Sequence, residues 1–143
     1  MAYFGLGTKA TIMANLAALI KPGITGVVFV DYQRDYDTGS GPEKTPGAFI
    51  NDLYEEKNRL LKDLAKNTLQ VGIVCWVRAE EGESLWTKLN AFVLAIQGKI
   101  VADPNLSSQA YYAKVTRIAT DDGSRHPVGL AVIAVEISYF SAI

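Results

Sequence analysis

The stretch from Asn67 to Ala102 constrains the fold more than any other, because it demands a long strand followed closely by a long amphipathic helix. Thr68 to Arg78 is rich in β-branched and aromatic residues and contains no proline, the composition of a strand packed on both sides. The acidic turn Glu80-Glu81-Gly82-Glu83 comes next. Leu85, Trp86, Leu89, Phe92, Val93, Ile96 and Ile100 then recur at helical spacing and predict one apolar stripe. The other segments read as material packed onto this unit.

A first helix is predicted from about Thr8 to Lys21. Ile12, Met13, Leu16, Leu19 and Ile20 share one face, Thr8 or Thr11 caps the start, and Lys21-Pro22-Gly23 ends it. A strand follows over Gly26–Tyr32. The segment 33–45, rich in Asp, Gly, Ser and Pro, cannot bury much and is expected as an exposed loop. Pro46–Asn51 predicts a short strand that opens on its proline. Leu53, Lys57, Leu60, Leu61 and Leu64 fit a helical period, so a helix is predicted over 53–66; a twisted, charged hairpin from the same residues is the alternative. Asp103-Pro104-Asn105-Leu106 stops the major helix. Strands over Ala113–Thr120 and Val128–Phe140 close the chain, joined by the turn Asp121 to Arg125.

Alternation along the strands divides their residues between two faces. Leu69, Val71, Ile73, Cys75 and Val77 point to one side of the organising strand, and Val74 with Trp76 to the other. In the last strand Ile133, Val135, Ile137 and Tyr139 oppose Leu130, Val132, Ala134, Glu136 and Ser138. Both strands are at least half apolar on each face. Two helices can cover one face of such a sheet, which leaves the second for a neighbouring subunit. The helices splitting between the faces is the competing arrangement, and it would make the domain self-sufficient.

With 143 residues the chain suits one domain and one core. Fourteen basic and 15 acidic residues give a net charge of −1, so no bulk field draws it to nucleic acid or membrane. Cys75 is the sole cysteine and His126 the sole histidine. Intrachain disulfides and cysteine- or histidine-rich metal sites are thereby excluded. A buried, inert thiol is expected at Cys75, and a surface turn residue at His126. Glu81 and Glu83 suit a helix start, and Asp121-Asp122-Gly123 a turn, better than they suit acid–base chemistry. Gly5-Leu6-Gly7 and Gly39-Ser40-Gly41 lack the context of a phosphate loop. The residues thus point to a non-enzyme without cofactor or metal, expected as a soluble chain of a reducing cytoplasm with neither signal peptide nor membrane span.

The segment order resembles that of the tail terminator, or tail completion, proteins of long-tailed bacteriophages. The resemblance rests on the strand ending Val74-Cys75-Trp76-Val77-Arg78-Ala79, the acidic turn and amphipathic helix, and the stop at Asp103-Pro104-Asn105-Leu106. It continues through Val115 to Gly123 and through Pro127-Val128-Gly129 to Tyr139. The N-terminal helix and the strands at Val27–Tyr32 and Pro46–Asn51 match the family's usual order. The helical period at 53–66 departs from it, since the family more often continues there as sheet.

The resemblance implies an α/β (α+β) fold, with a mixed, mostly antiparallel sheet and helices packed on one side. It also implies a hexameric ring at the head-proximal end of the virion tail, assembled in the host cytoplasm. Such a ring caps the tail tube protein, stops polymerisation and meets the neck or head-completion protein, and the tail sheath where the tail contracts. The genome passes through its lumen without sequence-specific contacts. For this role Trp76, Leu130 and Val132 are the candidate subunit-packing residues. The loop carrying Asp35, Tyr36, Asp37, Glu43 and Lys44 is the candidate docking segment. The alternatives are another neck or tail component, such as a head-completion or tube protein, and a small ligand-binding α/β domain.

Overall fold

A computed structural model describes residues 8–32, 45–106, 110–121 and 127–142. The first element, α1 (Lys9–Ile20), starts where Thr8 and Thr11 satisfy each other's backbone. The Thr11 N–H donates to Thr8 Oγ1 and the Thr8 N–H to Thr11 Oγ1, both at 3.2 Å. Strand β1 (Phe29–Asp31) is shorter than the apolar run around it predicts. The cause lies in its partner: β1 pairs in parallel with only Gly47, Ala48 and Phe49 of β2 (Gly47–Leu61).

Strand β2 turns at Lys62-Asp63 into β3 (Leu64–Arg78), and the two form one long antiparallel hairpin. The helix expected over 53–66 is therefore replaced by sheet. Its leucine spacing does not mark a shared face. A register shift between Asp52 and Tyr54 sets Leu53 apart, while Leu60 and Leu61 lie exposed near the hairpin tip. Backbone pairing along the whole of β3 outweighs the weak local preference for helix.

The acidic turn leads into α2 (Leu85–Ala102), capped by Ser84, whose Oγ accepts the Thr87 N–H at 3.3 Å. Strands β4 (Tyr112–Thr120) and β5 (Val128–Ala142) follow. The resulting five-stranded sheet has the order β1-β2-β3-β5-β4, and every pairing except β1–β2 is antiparallel. Central β3 pairs with β5 from Leu64↔Ala142 to Arg78↔Val128 without a register shift.

Both helices pack on one face, as expected, and form the core with it. Ile12, Leu16 and Ile20 of α1 and Leu89, Ile96 and Ile100 of α2 are buried against Leu69, Val71, Ile73 and Cys75 of β3 and Ile133, Val135 and Ile137 of β5. Each such side chain contributes about 1.5–3 kcal/mol by leaving water. Trp86 departs from the predicted stripe. It begins α2 on the outward side and stays 76% exposed, whereas Leu85 and Leu89 face inward. Their contact with Gly129 is close: a Cβ there would lie 3.1 Å from Leu85 Cδ1.

Candidate assembly surfaces

The sheet face away from the helices carries the candidate packing residues. Strand alternation and register place Trp76 between Gly47 and Leu130, Val74 between Phe49 and Val132, and Gly72 between Asn51 and Ala134. Trp76, Leu130 and Val132 thus share one face and adjacent rows, yet they differ in what covers them. Gly47 leaves room beside Trp76 that Phe29 fills, with the two rings tilted and 6.1 Å between centroids. Trp76 is consequently only 6% exposed within its own chain. Leu130 is half-buried, and Val132 is 42% exposed.

Leu53 extends this apolar area. Past the bulge its side chain leans toward Gly72, where a Cβ would lie 3.6 Å from Leu53 Cδ1, and it remains 59% exposed. Sequence reasoning missed Leu53 because it assigned the residue to a helix. The signal available was Gly72, a gap in an otherwise bulky strand that a neighbouring side chain can overlie.

The same face becomes polar toward the hairpin. Gln70 Nε2 donates to Glu136 Oε1 at 3.1 Å, and Lys114 Nζ lies 3.5 Å from Glu136 Oε2. On the helix side of the sheet, Lys9 of α1 reaches Asp52 of β2 at 2.9 Å. Such exposed pairs add little to stability.

Among the described residues both margins of the sheet are open. Beyond Phe49 no described strand pairs with the outer edge of β2, and β4 is the terminal strand on the other side. A second apolar strip lies on α2, where Trp86, Leu94 and Val101 follow one another at helical spacing and are all exposed.

The candidate chemical groups fall elsewhere. Cys75 is fully buried between Ala48 and Ala131. Burial pushes its thiol up to about 12, an effect only partly offset by backbone hydrogen bonds from Ala131 and Cys75 itself. Glu83 accepts hydrogen bonds from the Glu80 N–H at 2.8 Å and from Lys88 Nζ at 3.2 Å, and these bonds hold its carboxyl below the ordinary range. That arrangement closes the turn before α2. Asp121 just past β4 is likewise engaged with backbone, its carboxylate accepting the Leu130 N–H of β5 at 3.2 Å. Among the described residues no group of three His, Cys, Asp or Glu is placed to hold a metal ion. Nor, among the described residues, is any helix long and apolar enough to cross a membrane. His126 and the candidate docking residues Asp35, Tyr36, Asp37, Glu43 and Lys44 lie outside the described residues.

No family model and no curated protein matches the chain. Among solved structures it is similar to a chain of the virion of a native gene transfer agent particle, with a TM-score of 0.44 and 11% identity. That match covers 94% of this chain and 95% of the other.

Proposed function

We propose that this chain is a structural virion subunit of the tail terminator type, without catalytic activity, that closes into a hexameric ring on the head-proximal end of a tail tube. The observation that carries the reading is the division of the sheet into one face sealed by α1 and α2 and one face whose apolar centre, Val74, Val132 and Leu53, has no helix over it among the described residues. An apolar face of this kind is a surface for a neighbour, and a heterologous contact repeated through a rotation that sums to a full turn closes a ring. The tail terminator resemblance of the segment order supports the same reading and names the other partners: the tube protein, the neck or head-completion protein, and the sheath of a contractile tail.

A tube protein is the competing assignment, and stoichiometry separates the two. Native mass spectrometry of the purified chain over a concentration series is expected to give one closed species of six subunits. An open-ended ladder would assign the chain to tube building instead. A strict monomer at every concentration would remove the argument from the uncovered face.

A further inference from the structure

We infer that the ring is sealed by sheet pairing, with β4 of one copy adding to the outer edge of β2 in the next copy. The inference rests on the ring reading and goes further by naming the two margins that meet. Three features support it.

Among the described residues each margin presents unpaired backbone. β4 is 9 residues long and, among those residues, pairs on one side only. Among the described residues, β2 from Ile50 to Leu61 also pairs on one side only. Open edges of this length are templates for a further strand.

Strand direction is compatible as well. The three antiparallel pairings β2–β3, β3–β5 and β5–β4 make the strands alternate, so β4 runs opposite to β2. Rotating one copy onto the next sets β4 beside β2 with the alternation unbroken, as antiparallel neighbours.

Charge then selects this junction over its competitors. Within Tyr112–Thr120 the only charged residues are Lys114 and Arg117, both basic. On the open edge of β2 the segment Ile50–Glu56 carries Asp52, Glu55 and Glu56, all acidic, and the basic Lys57 and Arg59 follow toward the hairpin tip. Some of these groups already have internal contacts: Lys9 meets Asp52 at 2.9 Å, Tyr139 donates to Glu55 at 2.6 Å, and Lys114 lies 3.5 Å from Glu136. The segment Ile50–Glu56 nevertheless remains acidic and β4 basic. Pairing β4 with β4, or the segment Ile50–Glu56 with itself, sets like charges opposite one another and is disfavoured, whereas β4 against Ile50–Glu56 brings opposite charges together. The contact is therefore head-to-tail, the type that closes rings.

The test uses two charge-reversed full-length chains, Lys114→Glu with Arg117→Glu and Glu55→Lys with Glu56→Lys, compared with wild type by native mass spectrometry. Each variant alone carries like charge on both margins and is expected to stay dispersed. An equimolar mixture is expected to recover closed rings in which the two variants alternate, in even numbers only. Recovery in the mixture also demonstrates that both variants fold. Wild-type rings that persist in both separate variants overturn the edge pairing alone, and so does a mixture that stays dispersed. A wild-type chain that never assembles overturns the ring reading and the edge pairing with it.

Discussion

Tyr139 on β5 donates its hydroxyl hydrogen to Glu55 Oε2 on β2 at 2.6 Å, reaching across the intervening strand β3. The bond joins the free part of the long hairpin to the last strand of the sheet. It forms only if residues 53–61 are strand. Tyr139→Phe is expected to lower stability by about 1.5 kcal/mol, the scale of a hydrogen bond to a charged acceptor. Glu55→Gln, which keeps an acceptor, should cost less. Urea denaturation of the two variants checks the order.

A second consequence concerns alkaline pH. Burial, followed by the neighbouring Glu55 carboxylate, raises Tyr139 above its ordinary value of 10.0, and burial raises Cys75 from 9.0 to about 12. Both groups hold their protons more tightly when folded than when unfolded. Their stabilisation is thus complete below about pH 9 and is lost progressively as pH rises through the folded values. Urea midpoints should fall above about pH 9, and Cys75→Ala should flatten the first part of that fall. A midpoint that does not change on this side would contradict the burial of both groups. In the folded chain the same thiol should resist alkylation at neutral pH and react only on unfolding.

The two tryptophans report separately on core and surface. Trp76 lies against Phe29, whereas Trp86 stands outward on α2. In a Trp76→Phe chain the remaining indole should emit at the wavelength of hydrated tryptophan and be quenched readily by iodide. In a Trp86→Phe chain the emission should be blue-shifted and protected.

The apolar face makes a sharper contrast. Val132→Asp changes an exposed position and should alter the stability of the isolated fold by about 0.5 kcal/mol or less, while abolishing self-association. Ile73→Ala empties a fully buried position and should cost about 3 kcal/mol in the folded chain itself. Trp76 is less suitable as an interface probe, because truncating it also removes the internal contact with Phe29. Sedimentation velocity and thermal melting of the variants separate the two effects.

The alternation of β3 and β5 was legible because both faces of those strands are constrained by packing. Leu69, Val71, Ile73 and Cys75 do lie under the helices, with Val74 and Trp76 opposite. A threonine cap at Thr8 or Thr11 was readable because hydroxyl chemistry is local, and Thr8 takes the cap with Thr11 as its reciprocal partner. Residues 53–61 were not, since their side chains are exposed and carry little pattern, and the strand is imposed by pairing with β3. Trp86 misled for a related reason: its helical spacing is real, but a stripe widened by one residue crosses from the buried side to the exposed one. Trp76 was placed on the correct face, but Phe29, far away in the chain, determines that it is covered.

The central claim is that the uncovered face and open margins of this chain close on copies of itself. Negative-stain electron microscopy of the wild-type chain tests it most directly. The account predicts discrete rings of six-fold symmetry with an open centre and no stacking beyond a ring. Continuous filaments, or a field of monomers at concentrations where the chain remains folded, would contradict it.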